Sequence, residues 1–159
     1  MDLIIPTISQ GLLWSILAIG VYLTFRVLDI ADLTVEGSFP LGAAVAASML
    51  VKGSDPFTAI FFAAIAGMLA GVITGLLTTK LKIPALLAGI LTMIALYSVN
   101  LRIMGKANLS LLQADTLFSR FSWISNDKQL VVLSVGIAAV LIISLLNYWF
   151  FGTEIGAAI

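Results

Sequence analysis

Cysteine and histidine are both absent from this 159-residue chain, and charged residues make up only 10% of it. The chain therefore has no thiol nucleophile, no disulfide and none of the imidazole or thiolate ligands of most zinc and haem sites. Its eight basic and eight acidic residues cancel, so the sequence has no polybasic surface for nucleic acid. We predict no catalytic residue, no metal site and no cofactor held by the chain itself.

Hydrophobic residues, in contrast, make up 61% of the chain. A helix needs about 20 apolar residues to cross the hydrocarbon core of a bilayer. Four runs reach or approach that length: Leu3 to Phe25, Pro56 to Thr79, Ile83 to Leu101, and Gln129 to Thr153. The predicted fold class is therefore all-α, a polytopic membrane helix bundle with about five membrane helices, and the whole of residues 1–159 is predicted to form one transmembrane domain.

The second apolar run, Phe39 to Val51, is shorter than the others. As a helix it would rise only about 20 Å, so we predict a short second helix that starts within the membrane. Gly37 and Pro40 suit such a start, with Ser38 as its cap.

The stretch before this helix is polar, which is unusual beside a membrane segment. Its carboxylates either lie at the surface or line a watery cavity, because charge at membrane depth is costly. Composition favours neither alternative. The candidate pathway residues on this stretch are Asp32, Thr34, Glu36 and Ser38.

The third predicted helix has small residues at every fourth position, including Gly67, Gly71 and Gly75. This spacing keeps them on one stripe of the helix, where a partner backbone can come close. We interpret the stripe as a helix-packing surface, with the second and fourth helices as partners.

Two polar residues, Tyr97 and Asn100, interrupt the fourth predicted helix and are lesser candidates for a pathway. An asparagine inside a membrane helix more often makes an interhelical hydrogen bond than a ligand contact.

The following connection, Arg102 to Lys128, mixes apolar and polar residues and is predicted to lie at the membrane interface. After the fifth helix, Gly152 can end a helix, and the last residues read as the start of a further element. The chain is interpreted as an amino-terminal fragment.

The order of these features resembles the first part of the permease subunits of bacterial ABC importers, in the branched-chain amino acid and ribose permease superfamily. Residues 30–38 are similar to the family motif G-I-D-L-S-V-G-S, with Glu36 as a departure. A glycine-rich helix then ends in a basic turn at residues 78–84, and the next helix carries Thr92 and Met93.

The carboxyl end adds to the resemblance, because Thr153, Gly156 and Ile159 match the family's T-x-x-G-x-x-I segment. The sequence Leu28 to Phe39 is most similar to a subgroup of tryptophan and tyrosine uptake permeases. The resemblance covers essentially the whole chain.

The resemblance implies a subunit that forms the translocation pathway for a small solute, most readily an amino acid, in the bacterial cell membrane. It implies three partners: an ATP-binding subunit, a substrate-binding protein and a second permease subunit, as a homodimer. ATP would be used by the partner, since the chain has no G-x-x-x-x-G-K-[ST] sequence. The residues expected to face the ATPase are Gly152, Thr153, Glu154 and Gly156.

The expected orientation is that of the family, because the segment that couples to the ATPase must lie on the cytoplasmic side. The family pattern puts the carboxyl end inside the cell, which leaves three basic residues inside and five outside, whereas the positive-inside rule favours the reverse. The alternative function is a small self-associating membrane protein without an ATPase partner, such as a channel, a holin-like pore former or an assembly subunit.

Overall fold

The structure is a computed structural model that describes residues 4–29, 32–111, 114–117 and 128–153. Within these ranges the secondary structure consists of helices joined by turns, without a strand. The helices are α1 (Ile4–Leu28), α2 (Thr34–Val51), α3 (Pro56–Thr79), α4 (Ala85–Met104) and α5 (Lys128–Phe151). All five are long and apolar enough to cross a membrane, which confirms the predicted all-α membrane fold.

The chain divides into two compact units. Unit 1 comprises residues 1–29 and 118–159, and unit 2 comprises residues 30–117. The first holds α1 and α5, and the second holds α2, α3 and α4. The single domain over residues 1–159 stays a prediction.

In unit 1, the amino-terminal halves of α1 and α5 meet. A Cβ added to the buried Gly136 would lie 3.7 Å from the Cβ of Leu12, and Val131 is fully enclosed nearby on α5. The buried Ser9 donates its hydroxyl hydrogen to the carbonyl oxygen of Ile5, at 2.8 Å, so it needs no partner from another helix. This arrangement is expected of the first and last of five consecutive spans, which cross a bilayer in the same direction.

In unit 2, α2 is the central helix, because it packs against both α3 and α4 while those two contact each other less. The glycine stripe predicted that the third helix would be central. In unit 2 the central helix is α2 instead. The buried apolar core contains one residue from each helix, Leu41, Ala70 and Leu96.

Helix α2 begins at Thr34, five residues before the predicted start at Phe39. The carboxylate Oδ1 of Asp32 accepts the backbone N–H of Thr34 at 2.9 Å, which satisfies one of the free donors of the first turn. Ser38 is not the cap, since its hydroxyl bonds the carbonyl oxygen of Val35 within the helix. Pro40 lies inside the helix rather than at its start. The predicted start was too late because the first turn is polar.

With 18 residues, α2 is long and apolar enough to span, and it rises about 27 Å. The predicted rise of about 20 Å was therefore too small, because the helix begins at Thr34 and not at Phe39. It remains the shortest of the five described helices, which range up to 25 residues.

Three threonine hydroxyls join the helices of unit 2. Thr34 on α2 donates to Oγ1 of Thr74 on α3 at 2.9 Å, and Thr74 donates to Oγ1 of Thr92 on α4 at 2.9 Å. All three side chains are buried. We call these residues the threonine cluster. Because each hydroxyl finds its partner on another helix, the cluster fixes the depth at which the three helices meet.

Two glycines let α2 and α4 approach closely. A Cβ added to Gly37 would lie 2.9 Å from the Cα of Met93, closer than two carbons can pack. A Cβ added to Gly89 would lie 3.1 Å from both Oδ1 of Asp32 and the backbone nitrogen of Leu33. Each helix thus contributes one glycine at which its backbone touches the other helix.

The stripe of Gly67, Gly71 and Gly75 on α3 differs from these positions. A Cβ added to any of the three would meet no atom of the described residues within 4 Å. Neither α2 nor α4 contacts these three glycines, although Ala63, four residues earlier on the same stripe, lies close to Gly42 of α2. A role in packing against another surface stays a prediction.

Large apolar side chains cover the outer faces of the helices. Phe61 and Met68 on α3 are each 63% exposed, and Leu145 on α5 is 65% exposed. Tyr148 and Trp149, 83% and 71% exposed, lie near the carboxyl end of α5, where aromatic residues commonly meet the membrane interface. A surface of this composition is expected of helices that face lipid.

Replacing Thr74 by valine should lower the free energy of unfolding by about 1 to 2 kcal/mol, because Thr34 loses its acceptor and Thr92 its donor. Denaturation in mixed micelles measures the change. Thr74→Ser should retain most of the stability. Thr79→Val is the matched control, since the exposed Thr79 hydroxyl bonds only the carbonyl of Gly75 in its own helix. Equal effects of the two valine variants would contradict the role of the cluster.

Gly37→Ala should destabilise the protein by about 1 to 3 kcal/mol, because the added methyl group forces α2 away from the backbone of α4. Gly71→Ala is the control, and it should stabilise the protein by about 0.5 to 1 kcal/mol, as alanine does in an open helix face. Both effects can be read from the same unfolding assay. A loss of stability with Gly71→Ala would show that the stripe packs against a surface outside the described residues.

Candidate functional site

A pocket of about 340 Å³ lies between α2 and α4. We call it the α2–α4 pocket, and its lining residues are Glu36, Gly37, Pro40, Met93, Ile94, Tyr97 and Asn100. Pockets that bind small molecules measure roughly 300 to 1,000 Å³, so this volume suits a small solute.

Helical periodicity explains why these residues meet. On α2 the pocket takes positions 36, 37 and 40, and on α4 it takes 93, 94, 97 and 100. Residues spaced by three and four lie on one face of a helix. The close approach at Gly37 and Met93 brings the two faces together, so the pocket depends on the glycine.

Asn100 is the most enclosed polar group of the pocket. Its side chain is 6% exposed, and its Oδ1 has no hydrogen-bond partner among the described residues. A buried acceptor without a partner costs about 1 to 3 kcal/mol. The sequence favoured an interhelical hydrogen bond for the Asn100 side chain, and its Oδ1 makes none with the described residues. Asn100 therefore lines the pocket, while its Oδ1 is itself enclosed by protein.

Glu36 is the only charged residue among those that line the α2–α4 pocket. It lies in the first turn of α2 and is exposed. Pro40, four residues on, has no N–H and cannot donate the helical bond that the carbonyl of Glu36 would otherwise accept. Both residues line the pocket, so a carboxylate and a backbone carbonyl with spare accepting capacity lie on the same face of α2.

The remaining walls are apolar or aromatic. Met93 and Ile94 line the α4 side. Tyr97 is 68% exposed, which leaves the pocket open beside its ring. An apolar pocket with a few convergent polar groups is the usual form of a small-molecule site.

The structure brings together three of the six predicted pathway residues, Glu36, Tyr97 and Asn100. The other three do not line the α2–α4 pocket. Asp32 is half-buried and caps α2, the hydroxyl of Thr34 belongs to the threonine cluster, and Ser38 bonds its own helix. Whether any of the six lines a pathway stays a prediction.

Sequence reasoning missed the pocket roles of Pro40, Met93 and Ile94, and it assigned Gly37 to a helix start instead. A signal for Pro40 was present, because a proline four residues after a carboxylate removes a helical hydrogen bond on the same face. The family pattern included Met93 without giving it a pocket role, and no signal identified Ile94, since apolar residues fill most of α4.

The predicted ATPase-facing residues are only partly described. α5 ends at Phe151, and the backbone N–H of Gly152 bonds the carbonyl of Tyr148 at 3.1 Å, which confirms that the helix stops there. The Thr153 hydroxyl donates to the carbonyl of Phe150. Glu154 and Gly156 lie outside the described residues, as do Phe118, Phe121 and Trp123 of the predicted interfacial connection.

A second pocket, of about 280 Å³, belongs to unit 1. Its polar lining residues are Ser9, Gln10 and Gln129. The hydroxyl of Ser9 already donates to a carbonyl of its own helix, so it has no unpaired hydrogen to offer to this pocket.

Over the described ranges no group of three or more carboxylate, histidine or cysteine side chains is placed to hold a metal ion.

Five apolar helices and a small, partly polar pocket between two of them define a multi-pass membrane protein with a solute-sized site. The chain matches the family described as "Branched-chain amino acid transport system / permease component" over residues 3–159. It belongs to that family, which confirms the resemblance seen in the sequence and the assignment to the bacterial cell membrane.

Two curated relatives show the same likeness. The chain is 46% identical over 116 residues to the "Tyrosine transport system permease protein" of Clostridioides difficile (strain R20291), covering 73% of this chain and 39% of that protein. It is 43% identical over 119 residues to the "Uncharacterized protein RP368" of Rickettsia prowazekii (strain Madrid E), covering 75% of this chain and 42% of that protein. The matches thus span about two fifths of each relative. No solved structure matches the chain.

Asn100→Leu should raise the free energy of unfolding by about 1 to 3 kcal/mol in the absence of ligand, because it removes a buried acceptor without a partner. Thermal unfolding in lipid nanodiscs measures the change. Asn147→Leu on α5 is the matched control, and it should not stabilise, since its Nδ2 already donates to the carbonyl of Ile143 at 2.8 Å. A loss of stability with Asn100→Leu would show that Asn100 holds the helices together.

Proposed function

We propose that the protein is a membrane-spanning permease subunit of an ATP-binding cassette importer, and that it forms part of the translocation pathway for a small solute, an amino acid. Family membership supports the transport class. The observation that carries the pathway is the α2–α4 pocket, whose lining includes Glu36, Tyr97 and Asn100 and which lies between two helices long enough to span the membrane.

The substrate class rests on the family description and on the relative named for tyrosine transport. Tyrosine is therefore the first substrate to test. The pathway residues in this proposal are Glu36, Tyr97 and Asn100. Asp32 and Thr34 support them by setting the start and the depth of α2.

The energy source in this proposal is a separate ATP-binding subunit, and the subunit itself is not an enzyme. A substrate-binding protein delivers the solute from outside, and a second permease subunit, as a homodimer, completes the pathway. The segment with Gly152, Thr153, Glu154 and Gly156 contacts the ATPase on the cytoplasmic side. This assignment rests on the sequence motif and on the end of α5 at Phe151.

The experiment expresses the full-length protein with its ATPase and binding protein in cells that lack tyrosine uptake. We expect the ATPase to co-purify with the permease and labelled tyrosine to accumulate only when ATP is available. Gly156→Asp should abolish uptake and leave membrane insertion intact, because a side chain and a charge enter the coupling contact. Gly53→Asn, at an exposed turn between α2 and α3 whose left-handed backbone asparagine tolerates, should leave uptake unchanged.

Normal uptake by the Gly156→Asp variant would overturn the coupling assignment. Absence of a co-purifying ATPase, together with self-association that depends on Gly67, Gly71 and Gly75, would overturn the importer and favour the self-associating membrane protein.

A further inference from the structure

We infer that the pocket of unit 1 binds a membrane phospholipid through the ester carbonyls of the lipid, with the side-chain amides of Gln10 and Gln129 as hydrogen-bond donors. This pocket, of about 280 Å³, is lined by residues from the amino-terminal parts of α1 and α5. We call it the α1–α5 pocket. The bound lipid would stay with the protein, so the inference does not depend on the transported solute or on an ATPase partner.

The two glutamine amides of the α1–α5 pocket are available to a ligand. Neither side chain makes a hydrogen bond with the part of the chain that the structure describes, whereas the Ser9 hydroxyl donates to the carbonyl of Ile5. A glutamine amide has two N–H donors and one carbonyl acceptor. The described lining residues include no charged side chain. A ligand group that is neutral and accepts hydrogen bonds therefore complements this pocket.

The lining of the α1–α5 pocket changes from polar to apolar with distance from the helix ends. On α1 it passes from Ser9 and Gln10 to Leu13. On α5 it passes from Gln129 to Val132. In each helix the apolar residue lies about one turn further into the span. A glycerophospholipid has the same order, with ester carbonyls followed by acyl chains, so one molecule can satisfy both parts of the lining.

The depth of the amides agrees with the position of ester groups in a bilayer. Gln10 is the seventh residue of α1 and Gln129 the second of α5, so they lie about 9 Å and about 2 Å from the ends of their helices. The interfacial layer on each side of a bilayer is about 5 to 8 Å thick. The exposed Gln10 is therefore expected at the inner edge of this layer, where an unsatisfied amide is costly. Lipid ester carbonyls are acceptors that the membrane itself supplies at this depth.

The size and charge of the α1–α5 pocket specify which part of the lipid it recognises. Its volume is slightly below the roughly 300 to 1,000 Å³ of small-molecule pockets, so it encloses the glycerol ester region and leaves the acyl chains outside, beside residues such as Leu13, which is 41% exposed. A lining without charged side chains gives the headgroup no ionic partner. We therefore expect selection for the ester groups and indifference to headgroup charge.

Native mass spectrometry of the full-length protein, released from detergent micelles, measures the affinity of added lipids. The probes are a diester phosphatidylglycerol, its dialkyl-ether analogue with the same headgroup and chain lengths, and a diester phosphatidylcholine. We expect the diester phosphatidylglycerol to bind about two- to tenfold more tightly than the ether analogue, as expected for the loss of one neutral hydrogen bond. The two diesters should bind with similar affinity.

Two variants locate the site. Gln10→Leu and Gln129→Leu should each weaken binding of the diester by about two- to tenfold, and the double variant should bind diester and ether lipids equally. Asn147→Leu is the matched control on α5, since its Nδ2 already donates to the carbonyl of Ile143, and it should keep the preference for the diester. Both glutamines are exposed, so their replacement should not lower the thermal stability of the delipidated protein, which separates a lipid contact from damage to the fold.

Three results would overturn the inference. Equal binding of diester and ether lipids to the unchanged protein would remove the ester carbonyls as the recognised group. A diester preference that persists in the double variant would place the site elsewhere. Affinity set by headgroup charge alone, or no retained lipid, would show that the α1–α5 pocket does not hold the ester region. None of these results bears on ATP-dependent uptake, so the proposed function stands or falls separately.

Discussion

The hydrogen bonds among Thr34, Thr74 and Thr92 are the constraint on which unit 2 depends. Apolar contacts in a membrane protein give helices little preference for one depth over another, because lipid is as apolar as a neighbouring helix. Three buried hydroxyls that meet at 2.9 Å are directional, so they select one register for α2, α3 and α4. Each glycine contact and the pocket itself then follow from that register.

The start of α2 is the feature that connects this register to a site. The Asp32 carboxylate caps the first turn and lies where Gly89 leaves space on α4. One turn further on, Gly37 lies against the backbone of Met93. Because α2 begins at Thr34, its polar first turns enter the bundle, and Glu36 comes to line the pocket instead of lying in a surface loop.

The same arrangement separates polar groups that have hydrogen-bond partners from one that has none. Asp32, Thr34 and Ser38 all have partners within the protein. Asn100 has none for its Oδ1 among the described residues. Polar groups in a membrane protein are costly unless satisfied, so the enclosed Oδ1 of Asn100 costs stability, whereas the other three side chains contribute to it.

Sequence alone determined the class of this protein. Run lengths gave five membrane helices, the missing cysteine and histidine removed thiol and most metal chemistry, and the ordered motifs identified the family. Only the tertiary structure decided which polar residues work together. Asp32, Thr34, Glu36 and Ser38 looked equivalent in sequence because all are polar residues within seven positions. Helix rotation and the close approach of α4 distinguish them, and both depend on contacts between residues far apart in the chain, such as Thr34 with Thr74 and Gly37 with Met93.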